Sequence, residues 1–163
     1  MKLNNTKQIR DSVAHICKKY GDIYWRALDK EKKYPSEFVK EMTDSGFLNV
    51  LIPEEFGGSG LGLIDACAVL EEISLNGAHA GACHAQMYVM GSILRHGTEE
   101  QKAKFLPKIS AGKLRLQSFA VTEPNSGTDT TNIKTFAEKT NSGWKVNGQK
   151  VWISRVEYSD LML

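Results

Sequence analysis

Cysteine is scarce in this sequence and never paired: Cys17, Cys67 and Cys83 are odd in number, lack CxxC spacing and fall in helix-like segments. That excludes a disulfide framework, and it points to buried free thiols in a reducing, intracellular and cytoplasmic setting. Long apolar runs are missing as well. No stretch reaches the roughly 20 residues that span a bilayer, and no short apolar core followed by small residues marks a secretory signal. Charge of one sign does not accumulate either. The 21 basic and 19 acidic residues are interspersed for a net charge of +2, so there is no basic stripe and no nucleic-acid partner is expected. A metal site is considered at His79 and Cys83, four apart beside His84. No second ligand pair exists to complete it, so these side chains are read as packing and no metal is assigned.

What is present is ordinary for a folded domain: 41% hydrophobic and 25% charged residues over 163 positions, enough for a buried core. Up to about Gly112 the apolar residues recur at helical spacing; from Lys113 onward they alternate in twos between turn signals. Ile9, Val13, Ile16, Cys17 and Tyr20 lie on one helix face with lysines opposite, and the shortage of arginine favours a surface helix over a transit peptide. Pro35 and Gly46 bracket another helix in the expected order. The segment Leu63–Leu75 is apolar nearly all round and reads as a buried helix, and Gly77–Leu94 is rich in Gly and Ala, which allows close helix contacts. Thr98 and Gln101 form a capping box, and Pro107 is expected to end or kink the helix it opens. The fold class is therefore α+β: an all-α N-terminal helical bundle at 1–112, then the start of an antiparallel β domain at 113–163.

Two stretches carry chemistry. In TEPNSGTD, Thr122 to Asp129, Pro124 stops a strand, while Asn125 and Gly127 tolerate unusual backbone angles. The loop predicted there could aim backbone N–H groups and the hydroxyls of Thr122, Ser126 and Thr128 at one anion, although an ordinary surface turn is the favoured reading of the stretch taken alone. In GWKVNGQKVWIS, Asn147-Gly148 between alternating residues predicts a hairpin. On its second strand Val151 and Ile153 would face one side, Trp152 and Ser154 the other. A flat polar ring could stack on Trp152 and bond to Ser154; a core tryptophan beside a solvent-tipped serine is the alternative.

Four motifs in register, FAVTEPNSGTD (Phe119–Asp129), NGQKVWIS (Asn147–Ser154), IPEEFGGSGLGL (Ile52–Leu63) and HGTEEQKAKFLP (His96–Pro107), resemble the acyl-CoA dehydrogenase family over nearly the whole chain. The resemblance implies an N-terminal helical domain, a middle β domain and a C-terminal four-helix bundle, with FAD as cofactor. It implies that Phe119, Ala120, Val121, Thr122, Glu123, Pro124, Asn125, Ser126, Gly127 and Thr128 contact the flavin, together with Trp152, Ile153 and Ser154. Thr128 stands where the family usually has a serine that also touches substrate. Asn125-Ser126 replaces a more usual Gly-Ala, and Arg155 follows Ser154 where asparagine is common.

The implied reaction is α,β-dehydrogenation of an acyl-CoA thioester in fatty-acid and lipid metabolism: a carboxylate removes the α-proton and the β-hydride passes to the flavin. An electron-transfer flavoprotein is the implied acceptor, and a homo-oligomer the implied assembly. The family's catalytic glutamate belongs to the C-terminal domain, so no catalytic residue is assigned here. Glu71, Glu72, Glu99 and Glu123 are not candidates, and the chain alone is expected to be inactive and to hold flavin poorly. A monooxygenase or oxidase of the same fold, or a non-catalytic helical interaction module, are the alternatives.

Overall fold

The computed structural model describes the backbone of residues 2–163 and side chains from Thr6 onward. Six α-helices come first: α1 (Lys2–Cys17), α2 (Asp22–Glu31), α3 (Ser36–Asp44), α4 (Leu63–Leu75), α5 (Gly81–His96) and α6 (Glu99–Ser110). A two-stranded antiparallel sheet follows, β1 (Phe136–Thr140) with β2 (Gly143–Asn147). This is the α+β order that the change of periodicity predicts. Among the described residues no helix is long and apolar enough to cross a membrane.

Local chemistry sets the helix ends. Thr98 Oγ1 accepts the Gln101 N–H at 3.2 Å while Gln101 Oε1 accepts the Thr98 N–H at 2.9 Å, closing the capping box that starts α6. Pro107 does not end this helix. It sits inside the closing turns, where its missing N–H leaves the Ala103 carbonyl without its i+4 donor, while its own carbonyl still accepts the Ala111 N–H at 3.0 Å and the helix runs on to Ser110. Pro35 precedes α3, and Gly46 (φ 78°) takes the left-handed turn after it.

Two apolar clusters form the core. Ile9, Val13, Ile16 and Cys17 of α1 pack with Phe38, Val39 and Met42 of α3 and with Val69 and Ile73 of α4. The second cluster joins Val89, Met90 and Ile93 of α5 to Leu106 and Ile109 of α6, with Ile52 and Leu116. Helix α4 departs from its expected burial. It packs on α1 through Ala66, Val69 and Ile73, whereas Leu63, Ile64 and Leu75 are more than 70% exposed. Its Cys67 is exposed with them, so only Cys17 and Cys83 are the buried free thiols expected of all three.

The hairpin forms one strand earlier than Asn147-Gly148 suggests. Thr140 pairs with Gly143, so the turn is Asn141-Ser142, and Asn147 is paired with Phe136 at the far end of β2. Gly148 is needed for a close approach instead: a Cβ there would stand 2.2 Å from Thr135 Oγ1. The following Val151 N–H donates to the Thr122 carbonyl at 3.0 Å rather than back to β2, and Trp152 at φ 61° interrupts any strand. The last residues run parallel beside the segment before Phe119. Ser118 bridges Met162, the Leu163 N–H donates to the Ser118 carbonyl at 3.1 Å, and the Ala120 N–H to the Leu163 carbonyl at 2.7 Å.

Candidate functional site

The loop from Thr122 to Asp129 is built around Glu123, whose side chain is buried. Its carboxylate accepts the Lys134 N–H at 2.5 Å, the Thr135 N–H at 2.8 Å and the Lys150 ammonium at 2.9 Å. The same ammonium donates to the Val121 carbonyl at 2.9 Å. The Thr135 hydroxyl is the largest influence holding this carboxyl down to about 2, followed by the Lys134 N–H, with the Lys150 ammonium and Thr135 N–H adding to it against the effect of burial. That hydroxyl lies close without completing a hydrogen bond of full geometry. One carboxylate thus ties together the loop, the entry to β1 and the segment after β2.

The turn itself is closed by reciprocal bonds, Glu123 N–H to Ser126 carbonyl at 2.8 Å and Ser126 N–H to Glu123 carbonyl at 3.1 Å. The Ser126 hydroxyl donates to the Asp129 carbonyl, and Asn125 Nδ2 to the Asn132 carbonyl at 3.5 Å. Ser126 and Glu123 therefore face inward, and of the hydroxyls expected to converge on an anion, those of Thr122 and Thr128 remain free of such internal bonds. Pro124, Asn125, Gly127 and Thr128 are exposed, and a Cβ on Gly127 would meet nothing within 4 Å.

The Val151–Thr122 bond brings the second stretch against this loop. Along it Val151 and Ile153 are half-buried while Trp152 and Ser154 are exposed, so the alternation of faces exists without a strand. Trp152, 89% exposed, and Arg155 both adopt left-handed backbone angles, φ 61° and 62°, and bracket Ile153-Ser154. Such angles carry strain of about 1–3 kcal/mol each and cluster where a binding geometry demands them. The Ser154 carbonyl is held by the Ser118 hydroxyl at 3.1 Å. On the other side, Phe119 meets Tyr88 of α5 edge-on at 5.7 Å, and Tyr88 meets His84 at 4.9 Å. Ala120, Val121 and Thr122 are half-buried between these two groups.

The arrangement offers an open indole face, exposed hydroxyls at Ser154 and Thr128, a half-buried one at Thr122, and an aromatic flank at Phe119 and Tyr88. Such a surface suits a planar, polar-edged ring. The three other glutamates weighed from the sequence are engaged elsewhere: Glu71 and Glu72 pair with Arg10, and Glu99 with Lys102. Among the described residues no group of three or more His, Cys, Asp or Glu could hold a metal ion. Sequence reasoning missed the roles of Lys150 and of Glu123 as the loop's organiser. A carboxylate in the TEPNSGTD stretch and a lysine on the second strand of the predicted hairpin were the available signal, and nothing local says that the two meet.

Two family models match the chain: the acyl-CoA dehydrogenase N-terminal domain over residues 4–113 and the middle domain over residues 118–163. Acyl-CoA dehydrogenase FadE12 of Mycobacterium tuberculosis is 36% identical over 158 residues, covering 95% of this chain and 40% of that protein. The crystal structure of acyl-CoA dehydrogenase from Geobacillus kaustophilus superposes with a TM-score of 0.86 at 31% identity, over 97% of this chain and 42% of that one. The structure described as PigA with FAD and proline superposes with a TM-score of 0.86 at 26% identity, over 96% and 42%. The chain spans about two fifths of the length of the relatives it matches. With both of its parts matched in order, the chain belongs to the acyl-CoA dehydrogenase family.

Proposed function

We propose that the protein acts in FAD-dependent α,β-dehydrogenation of an acyl-CoA thioester, with the helical part at 1–112 and the β part at 113–163 forming one side of the flavin and acyl site. The observation that carries this reading is the Val151–Thr122 hydrogen bond, which sets the open face of Trp152 beside the Phe119–Thr128 loop. The donor set fits the group. Trp152 supplies a stacking surface, Ser154 and Thr122 supply hydroxyls for the polar edge of the ring, and Gly127 leaves room for close approach. FAD, when bound, supplies the electron-accepting ring that side chains lack.

The chain's own residues position and shield. Phe119, Ala120, Val121 and Ile153 exclude water from the apolar side, and Pro124, Asn125 and Ser126 keep the turn's shape. Thr128 places a hydroxyl where cofactor and thioester meet. Glu123 acts through the loop by fixing its geometry. An electron-transfer flavoprotein as acceptor, a homo-oligomeric assembly and a role in fatty-acid metabolism complete the reading and rest on family membership, while a cytoplasmic location rests on the unpaired cysteines alone.

Trp152→Ala is the direct test. Equilibrium titration with FAD is expected to show affinity weakened by ~0.5–1.5 kcal/mol beyond the lost area, as for an aromatic stacking contact. Unchanged affinity would remove Trp152 from the site.

A further inference from the structure

Lys150 is half-buried, and its ammonium uses two of its three donors on one short stretch: one bond goes to the Glu123 carboxylate and one to the Val121 carbonyl, both at 2.9 Å. The path that brings it there depends on Gly148. A Cβ at that position would stand 2.7 Å from Thr135 Cβ and 2.8 Å from Thr135 Cα, so the chain after β2 runs tight against the residue whose N–H also donates to Glu123, at 2.8 Å. Next along, the Val151 N–H donates to the Thr122 carbonyl at 3.0 Å. Two consecutive residues thus hold two consecutive carbonyls.

Those carbonyls belong to the two peptide planes that meet at the Thr122 Cα. Lys150 holds the plane before it through the Val121 carbonyl. Val151 holds the plane after it, and the Glu123 N–H of that same plane donates to the Ser126 carbonyl at 2.8 Å. With both planes tied, φ and ψ of Thr122 are set. The allowed χ1 rotamers follow from φ and ψ, and a β-branched side chain has few of them, so the direction of the hydroxyl is set as well. That hydroxyl is half-buried and free of the turn's internal bonds. Stability alone does not ask for this arrangement, since a buried ion pair exchanged for neutral side chains of similar volume is often no loss. The bond from the ammonium to the Val121 carbonyl is what a neutral pair would not reproduce.

We propose that Lys150 is a positioning residue for the flavin site, acting through Thr122: by holding the Val121 carbonyl while Val151 holds the next one, it aims the Thr122 hydroxyl. This rests on the reading of Thr122 as a hydroxyl donor to the polar edge of the ring, and it adds the residue that sets the direction of that donor.

All test variants carry Glu123→Gln, which leaves no buried carboxylate unpaired when Lys150→Met is added, so each difference belongs to Lys150. Without flavin, three-bond couplings to the Thr122 methyl carbon report its χ1 rotamer by NMR. Glu123→Gln, like the parent, is expected to show one dominant rotamer, and Glu123→Gln/Lys150→Met an average over several. With FAD, equilibrium titration should show that adding Lys150→Met weakens binding about threefold to tenfold, as for one lost hydrogen bond, and that it costs nothing further once Thr122→Val has removed the hydroxyl. In a merely structural role the two losses would add. An unchanged Thr122 rotamer on adding Lys150→Met, or additive losses, overturns the proposal. A Glu123→Gln/Lys150→Met protein that does not fold overturns it too, because Lys150 is then a condition of the fold. The rotamer arm uses no flavin, so its failure leaves the flavin seat standing. A Thr122→Val change that leaves FAD binding as in Glu123→Gln overturns the proposal from the other side, by taking Thr122 out of that seat even where its rotamer is fixed.

Discussion

Glu123 is a carboxylate in the most motif-like stretch of the chain, yet its bonds point inward, to Lys134, Thr135 and Lys150. Its pKa is lowered from 4.5 to about 2, so the stability it contributes is fully present above about pH 4.5 and is lost as the pH falls towards 2. Amide protection factors in the Thr122–Asp129 loop, taken relative to the unstructured exchange rate at each pH, should therefore fall across that window, and Glu123→Gln should abolish this acid limb; protection factors that ignore pH there would show that the carboxylate is not its organiser. The thiols are separated by burial in the same way. Burial, aided by Glu72, raises Cys17 to about 11, and burial, aided by Cys17, raises Cys83 to about 12, while Cys67 is exposed on α4. A thiol reagent at neutral pH should modify Cys67 in the native protein and reach the other two only on unfolding, which peptide mapping of the labelled protein reads directly.

At the scale of elements, helices were legible and the hairpin was not. Helix signals are local: Thr98 and Gln101 are three residues apart, and they meet wherever that helix forms. Thr98→Ala should cost ~0.5–2 kcal/mol, measured as a lowered urea midpoint with an unchanged slope. Asn147-Gly148 is as strong a local signal, but Gly148 is claimed by Thr135, thirteen residues earlier, and Val151 by Thr122. The same long-range bonds leave Trp152 and Ser154 exposed together without the strand from which their shared face was inferred. Helix α4 shows the converse limit: its composition is apolar all round, yet α1 covers one face only.

Across the whole molecule, the change from helical to two-residue periodicity near Gly112 marked the α+β order, because each part draws most of its hydrogen bonds from its own elements. The candidate site was legible as two motifs. The bond that joins them and the Glu123–Lys150 tie beneath them were not, since each depends on residues some 27 or more positions apart. The central claim is that Phe119–Thr128 and Trp152–Ser154 together form one flavin seat. Hydrogen–deuterium exchange at saturating FAD tests it most directly. The account predicts protection at both stretches and at Val151, with the exposed β1–β2 hairpin unchanged. Protection confined to one stretch, or lying elsewhere while both stay as open as without FAD, would contradict it.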